Sequence, residues 1–209
     1  MIKVKILFGT RNKNKTIEAK AIFNEISPEL ELISLDEIDP NRLIDEPIED
    51  GISFYENALI KAKYYFDKVK LPTICDDSGI CVDALNGKPG IFSARFSKGT
   101  IYEEDNINRS NNKMLLDLMK EKTNRKAHYT CEMVFYDSIN IINGTGILNG
   151  LVLFEETGQN GFGYDPLFYI EEYKMSLGEL DEKTKNTISH RYKAIVDIAN
   201  KIDETFKKA

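Results

Sequence analysis

Near its start the chain changes hydrophobic period twice, and this change restricts it to folds that layer helices on a sheet. The apolar run from Val4 to Phe8 ends at Gly9 and predicts a buried strand. A helix opened by Asn14 and Lys15 is predicted next, from apolar residues at helical spacing: Ala19, Ile22, Phe23 and Ile26. Residues 30–35 predict a second strand. This strand–loop–helix–strand order is the usual beginning of an α/β layer architecture.

The later periodicities alternate between helix and strand, after an irregular acidic connection over residues 36–50. Between residues 127 and 135 apolar and polar side chains alternate, which is the period-two pattern of a strand. Helices are also predicted at residues 54–69, 104–122 and after 189, and strands at 73–75, 80–82, 139–142 and 147–154. We therefore predict an α/β fold, α+β-like, in which helices flank a mixed sheet.

Bulk composition excludes several classes of protein. A chain of 209 residues can bury a core without disulfides or a structural metal. Its formal net charge of −6 argues against a nucleic-acid polymer as partner, although a local basic cluster could still bind a small anion. The apolar run at the start is too short for a signal peptide, and no stretch approaches the ~18 apolar residues of a membrane span. With three cysteines at no zinc spacing, we expect reduced thiols in a cytoplasmic protein without a membrane partner.

A basic loop stands between the first predicted strand and helix. Its residues are Thr10, Arg11, Asn12, Lys13, Asn14 and Lys15. Backbone N–H groups at a helix N-terminus attract phosphate, and cationic side chains beside them add to that attraction, so the loop is a candidate triphosphate site. Taken alone, the segment fits an exposed, solvated basic loop slightly better. It is not a Walker A loop, because Gly87-Lys88 is followed by Pro89 and lacks the earlier glycine.

An acidic set of residues could hold a metal ion. It comprises Glu46, Glu49, Asp50, Glu56, Asp76 and Asp77. Mg2+ prefers oxygen ligands and is usually held by one or two carboxylates together with waters and substrate phosphates. Residues 76–79, Asp-Asp-Ser-Gly, are predicted to form a polar turn after a hydrophobic strand, where functional side chains of open α/β sheets collect. A turn without any function explains the same tetrapeptide.

Two further segments could contact a flat ligand. In residues 161–166, Gly-Phe-Gly-Tyr-Asp-Pro, the glycines let the backbone approach closely and an aromatic face can stack on a base. In residues 189–191, Ser-His-Arg, the guanidinium can bind the O6 and N7 atoms of a purine together. The alternatives are a glycine-rich turn with core aromatics and a serine-capped helix with surface residues.

The motifs are more specific together than separately. The chain contains, in order, T-R-N-K-N-K, E-D-G-I-S-F-Y-E-N-A, D-D-S-G-I-C-V-D-A-L-N-G-K-P-G-I-F-S-A-R-F, G-F-G-Y-D-P-L-F and I-S-H-R-Y-K-A. In this it closely resembles the inosine triphosphate pyrophosphatase family, from Ile6 to about Ala194. The resemblance implies one domain over residues 1–209, with an elongated mixed sheet flanked by helices, two lobes and a central active-site cleft. It also implies a homodimer.

The resemblance assigns roles to residues at matching positions. Asp77 and Lys15 are the implied catalytic residues, and Glu49 and Asp77 the implied ligands of Mg2+. The implied substrate-binding residues are Thr10, Arg11, Asn12, Lys13, Asn14, Lys15, Ser78, Phe162, Gly163, Tyr164, Asp165, Lys185, His190 and Arg191. The implied reaction is attack of water on the α-phosphorus of a purine nucleoside triphosphate such as ITP, dITP or XTP, with release of pyrophosphate.

Two other interpretations stay open at this point. A Maf-type pyrophosphatase for modified pyrimidine nucleotides would resemble S-x-S-P-R-R at the first loop, whereas this chain has Thr-Arg-Asn at residues 10–12. A nucleotide-binding sensor would keep the pocket without turnover. The presence of Asp77, Glu49 and Lys15 together speaks against a sensor.

Overall fold

The computed structural model describes residues 4–207, the last of them without its side chain. Seven strands form one sheet: β1 (Val4–Phe8), β2 (Leu30–Ser34), β3 (Thr73–Val82), β4 (Lys126–Tyr136), β5 (Ile141–Val152), β6 (Phe168–Ile170) and β7 (Met175–Ser176). The α-helices are α1 (Lys13–Ile26), α2 (Leu35–Ile38), α3 (Phe54–Val69), α4 (Ile107–Met119), α5 (Glu182–Ile188) and α6 (His190–Lys207). Short 3-10 helices cover Asp83–Leu85, Gly90–Arg95 and Asp165–Leu167.

The strand order in the sheet is β2-β1-β3-β4-β5-β6-β7. Strand β1 lies between β2 and β3 and is parallel to both, whereas the pairs β5–β6 and β6–β7 are antiparallel. The predicted α/β architecture with a mixed sheet and flanking helices is therefore confirmed. Within the described residues, no helix is long and apolar enough to cross a bilayer.

The chain divides into two compact units. Among the described residues, the first unit comprises 4–77, 131–146 and 190–207, and the second comprises 78–130 and 147–189. Strands β3, β4 and β5 each contribute residues to both units.

In the first unit the alternation of strand side chains builds two apolar layers. On one face, Ile6 and Phe8 of β1 pack with buried residues of α1 and α6. On the other face, Leu7 packs with Ala58 and Ala62 of α3. Helices thus cover both faces of the sheet, as expected for strands that are apolar on both sides.

Helix α6 packs very closely on β5. A Cβ atom built on Gly146 would lie 1.9 Å from the carbonyl oxygen of His190, so any larger residue would push the helix away. The apolar runs in the sequence predict separate strands at residues 139–142 and 147–154. That prediction is wrong, because β5 runs without a break from Ile141 to Val152. The glycines allow the close approach of a helix and do not end the strand.

In the second unit, helix α4 covers one side of a core formed by four strands. Leu115 and Met119 of α4 pack in one cluster with Ile80 and Val82 of β3, and with apolar residues of β4, β5 and β6. Strands β6 and β7 and helix α5 were not predicted; β7 is only two residues long and β6 only three, too short for a periodic pattern.

The polar turn predicted at residues 76–79 is also wrong. Strand β3 continues through Asp76, Asp77 and Gly79, and all three lie within the ten-residue span Thr73–Val82. Asp and Gly favour turns by local preference, but tertiary partners for the two carboxylates override that preference here. In the connection predicted to be irregular, residues 35–38 form the short helix α2, which begins with a capping box between Ser34 and Glu37.

Candidate active site

Helix α1 begins directly after Asn12, whose side chain caps it. Asn12 Oδ1 accepts hydrogen bonds from the backbone N–H groups of Asn14 and Lys15, at 3.0 and 3.2 Å. Thr10 Oγ1 accepts from the Asn12 N–H at 3.1 Å, which fixes the loop before the helix. Part of the predicted phosphate cradle of backbone donors is therefore used by the protein itself. The side chains of Asn12, Lys13 and Asn14 are exposed, so the predicted basic loop lies at the surface.

Arg11 lies in the same loop but binds the connection that follows β2. Its Nη1 lies 2.8 Å from Asp36 Oδ1, and its Nη2 pairs with the carboxylate of Asp39. The same guanidinium donates to the backbone carbonyls of Asp39 and Ile44, at 3.1 and 3.3 Å. These contacts tie the acidic connection to the basic loop. The predicted contact of Arg11 with phosphate stays a prediction.

Strand β3 places Asp76 in the interior of the first unit, among cations. Lys15 Nζ lies 3.0 Å from Asp76 Oδ2, and Arg191 donates to the same oxygen through Nε and Nη2, at 3.3 and 3.2 Å. Arg191, only 1% exposed, also pairs through Nη1 with Glu18 of α1. Burial by itself raises the pKa of a carboxyl, but Lys15, Arg191 and Lys61 together hold the pKa of Asp76 well below its usual range. A chain of alternating charges thus fixes the ammonium group of Lys15.

The adjacent Asp77 points to the opposite face of the sheet, toward α3, because successive strand residues alternate. Its Oδ2 accepts from Asn57 Nδ2 at 3.1 Å, and its Oδ1 lies 3.7 Å from Lys61 Nζ. Lys61 Nζ also lies 2.9 Å from Glu49 Oε2, so one ammonium group pairs with both carboxylates. Burial, the largest effect, raises the pKa of Asp77, although Lys61 and Lys15 oppose it.

The Glu49–Asp77 pair fits a divalent cation. Both side chains offer carboxylate oxygens within reach of one ammonium group, and carboxylate oxygens are the ligands that a hard cation prefers. Among residues 4–207, no group of three or more His, Cys, Asp or Glu side chains forms a ready-made metal cage. A cation held here would therefore need ligands from water and from a bound phosphate chain, as Mg2+ commonly does.

The second unit holds the Gly-Phe-Gly-Tyr-Asp turn in a fixed shape. Asp165 Oδ2 accepts from the Phe162 N–H at 2.8 Å and from Lys185 Nζ at 2.7 Å. The same Lys185 Nζ lies 4.8 Å from the centroid of the Phe162 ring. Tyr164 is buried, and its hydroxyl donates to the Ser93 carbonyl at 2.9 Å. Gly163 has a φ of 64°, and a Cβ atom added there would meet nothing within 4 Å, so open space adjoins the turn.

The predicted site residues fall into both units. In the first unit, Lys15 and Arg191 meet at Asp76, whereas Glu49 and Asp77 meet at Lys61. The first unit holds Thr10, Arg11, Asn12, Lys13, Asn14, Lys15, Glu49, Asp77, His190 and Arg191. The second unit holds Ser78, Phe162, Gly163, Tyr164, Asp165 and Lys185, of which Phe162, Asp165 and Lys185 contact one another.

Sequence reasoning missed Asn57, Lys61 and Glu18. Asn57 and Lys61 are buried one helical turn apart on α3, next to the buried Ala58 and Ala62. A lysine and an asparagine at buried helical positions would have been a detectable signal, because such groups are rarely buried without partners.

Comparisons with known proteins identify the family of the chain. The model of the Ham1 family matches residues 6–201. The chain is 40% identical to a dITP/XTP pyrophosphatase of Clostridium tetani, over 97% of this chain and 96% of that protein. It is also 40% identical to a dITP/XTP pyrophosphatase of Bacillus anthracis, over 96% of this chain and 97% of that protein. The structure resembles the Staphylococcus aureus Ham1 protein with a TM-score of 0.82 and 30% identity, over 96% and 99% of the two chains. The chain therefore belongs to the Ham1 family.

Proposed function

We propose that the chain is a nucleoside-triphosphate pyrophosphatase that removes non-standard purine nucleoside triphosphates from the nucleotide pool. It hydrolyses ITP, dITP and XTP to the monophosphate and pyrophosphate. The observation that carries this proposal is the convergence of Glu49 and Asp77 on Lys61, in a chain 40% identical to proteins named dITP/XTP pyrophosphatase. We also propose that residues 1–209 act as one catalytic domain.

In the proposed reaction a water molecule attacks the α-phosphorus. A bond forms from the water oxygen to the α-phosphorus, the bond from that phosphorus to the bridging oxygen breaks, and pyrophosphate leaves with the bridging oxygen. Asp77 orients the water or accepts its proton. Glu49 and Asp77 would hold Mg2+, which supplies positive charge that polarises the phosphate oxygens. A carboxylate that binds a metal tightly is a weaker base, so orientation is the less demanding role for Asp77.

The phosphate chain is bound from the start of α1. Lys15 is half-buried and its ammonium is held in place by Asp76, so little side-chain freedom is lost when phosphate binds. Lys13 is exposed beside it and adds positive charge. We propose that Thr10, Arg11, Asn12 and Asn14 complete this phosphate-binding loop, and that Ser78 of β3 also contacts substrate.

The residues that we propose to bind the base, as the family resemblance implies, are Phe162, Gly163, Tyr164, Asp165, Lys185, His190 and Arg191. The ring of Phe162 offers a face for stacking, and its contact with Lys185 fixes its position. A 6-keto purine accepts hydrogen bonds where adenine would present an amino group, so donors from His190 or Arg191 would favour inosine and xanthosine. Direct contact of Arg191 with the base stays a prediction. Its pairing with Asp76 and Glu18 favours a supporting role, in which it fixes Asp76.

A panel of nucleotides tests the proposed function. With Mg2+ present, we expect dITP and XTP to be hydrolysed at least tenfold faster than dATP at equal concentration, because the 6-amino group of adenine would face a buried donor, a mismatch that costs about 1–3 kcal/mol. Guanine shares the 6-keto oxygen, so slower hydrolysis of dGTP would have to arise from a different contact, at its 2-amino group. The products, separated by ion-exchange chromatography, should be monophosphate and pyrophosphate, and EDTA should abolish turnover.

Other outcomes of the same panel contradict the proposal. Equal rates on all purines would exclude selectivity, and diphosphate with phosphate would exclude the bond assignment. Preference for methyl-uridine triphosphate would indicate a Maf-type enzyme. Tight dITP binding without any turnover would indicate a sensor.

Replacing Lys61 with methionine tests the role of the positive charge that pairs with the carboxylates of Glu49 and Asp77. Lys61 lowers the pKa of Asp77, so its loss should raise that pKa further and move the acid limb of the kcat/KM profile to higher pH. We expect kcat/KM at pH 7 to fall on the order of tenfold, by loss of one charge interaction at the site. The exposed Lys63 of the same helix provides the control, because Lys63→Met should leave the profile unchanged. Superimposable profiles for Lys61→Met and the wild type would contradict the assigned role.

We further propose Mg2+ as the metal, a homodimer as the assembly and the cytoplasm as the location. The oxygen ligands at Glu49 and Asp77 support Mg2+ over softer metals. The family resemblance supports the homodimer, which sedimentation velocity would test. The net charge of −6 supports a small-molecule substrate over a nucleic-acid polymer.

A further inference from the structure

Helix α4 carries two adjacent buried asparagines in the second unit. Both polar atoms of the Asn111 side chain have hydrogen-bond partners. Its Oδ1 accepts from the backbone N–H and the hydroxyl of Ser97, both at 2.8 Å, and its Nδ2 donates to the Ser93 carbonyl at 3.1 Å. Asn112 donates from Nδ2 to Glu156 Oε1 at 2.7 Å and to the Gly163 carbonyl at 3.2 Å. Its Oδ1 is buried and has no hydrogen-bond partner in the part of the chain that the structure describes.

The side chain of Asn112 is therefore costly for stability. Asparagine is a poor former of helix interiors, and a buried carbonyl without a partner loses its hydration without compensation. The amide cannot simply be reversed, because its oxygen would then face the oxygens of Glu156 and Gly163. Leucine has the same branched skeleton as asparagine, is somewhat larger, and would occupy the position without an unsatisfied polar atom of its own. The position thus holds a residue whose value lies in its donor and not in the stability of the core.

The donor of Asn112 acts on the turn that we propose to bind the base. The Gly163 carbonyl belongs to the same planar peptide as the Tyr164 N–H, and the two point in opposite directions. A hydrogen bond to the carbonyl therefore fixes the direction of the N–H as well. Gly163 has no side chain, sits at a φ of 64° and adjoins open space, so side-chain packing at this residue does not restrain its peptide.

The bond to Glu156 adds a second point of attachment. Glu156 lies on the loop that leads into the turn, and Gly163 lies within the turn, so one amide nitrogen joins both segments to α4. We propose that Asn112 is a positioning residue of the turn at residues 161–165, which sets the peptide of Gly163 and Tyr164 for the nucleobase. This inference rests on the proposed function of the turn.

Kinetics of Asn112→Leu test this role. Loss of one positioning hydrogen bond should raise the KM for dITP about three- to tenfold and leave kcat within about twofold, because binding of the base weakens equally before and during the reaction. Inorganic triphosphate has no base, so its inhibition constant should not change. The melting temperature should change little, because removal of the unsatisfied carbonyl offsets the loss of the two hydrogen bonds from Nδ2. Asn112→Asp, which places an acceptor against two acceptors, should raise KM further.

The exposed Glu155, which precedes Glu156, gives a matched control: Glu155→Gln should leave both constants unchanged. An unchanged KM in both Asn112→Leu and Asn112→Asp would overturn the proposal. So would an equal rise in KM and in the inhibition constant of triphosphate, since a general loosening of the protein would then explain both. If Asn112→Leu does not fold, the same comparison is made with Asn112→Ala.

Failure of the wild-type chain to hydrolyse dITP would reject the proposed function instead. The role of Asn112 is then decided by amide hydrogen exchange at Tyr164, where unchanged exchange in the variants overturns it.

Discussion

Asp77→Asn is expected to lower kcat for dITP by about 10²- to 10⁴-fold, the range for removal of a positioned acid or base. Asparagine keeps the shape of the side chain and an oxygen that can accept from Asn57 Nδ2, so the surroundings need not rearrange. It removes the negative charge that faces Lys61, and with it the capacity to hold a cation or accept a proton. Steady-state kinetics across a range of Mg2+ concentrations would measure both losses.

The stability of Asp77→Asn, unlike its activity, should stay the same or rise. The pKa of Asp77 is raised in the folded chain, so its charged form is disfavoured by folding, and this cost is fully present at pH values above the raised pKa. At pH 7 without divalent cations, Asp77→Asn should therefore unfold at the same or higher urea concentration than the wild type. The exposed Asp67 of α3 supplies the control, because Asp67→Asn should retain full activity. Near-normal kcat in Asp77→Asn would show that the catalytic centre is assigned wrongly.

Asp76→Asn should have the largest effect on stability, a loss of about 3–5 kcal/mol in the free energy of unfolding. Asp76 is the shared partner of Lys15 and Arg191, and its side chain has no exposed surface. Without the charge of Asp76, Arg191 stays buried and pairs with Glu18. An exposed ion pair such as Lys70–Asp67 contributes only about 0–1 kcal/mol, so Asp67→Asn again serves as the control. Urea denaturation at pH 7 measures both variants.

The dependence of this loss on pH follows from the lowered pKa of Asp76. A carboxyl whose pKa is lower in the folded state stabilises the fold at pH values above its unfolded pKa of ~3.9, and that contribution is lost as the pH falls further. The difference between the wild type and Asp76→Asn should therefore be largest near neutral pH and shrink in acid. A difference that is constant from pH 7 to pH 3 would contradict the proposed charge network.

Local sequence patterns predicted the helices and strands that have a long, regular period. They failed where tertiary contacts determine the secondary structure of a segment. Strand β1, helix α3 and the alternating strand β4 lie where their patterns place them. The segment Asp76–Gly79 has the composition of a turn, yet it forms the middle of β3. Its carboxylates face Lys15, Arg191 and Lys61 there, and these cations are too far away in the sequence to belong to a local pattern.

The candidate site shows the same division. The basic loop and the Glu49–Asp77 pair were predicted from residue types and from the family resemblance. The pattern could not predict that Arg11 pairs with Asp36 and Asp39, or that Arg191 is buried with Glu18. Arginine side chains are long enough to reach several partners, so their contacts depend on the final packing of helices and loops.

The path of the chain through the two compact units has a consequence for how such a protein can evolve. The polypeptide passes from one unit to the other after Asp77, Thr130, Gly146 and Ser189, and three of these crossings fall inside strands. No single genetic crossover can therefore exchange one unit for a foreign one, and neither unit can be duplicated or inherited as a separate cassette. Substitutions and short insertions in loops are the changes that leave both units intact.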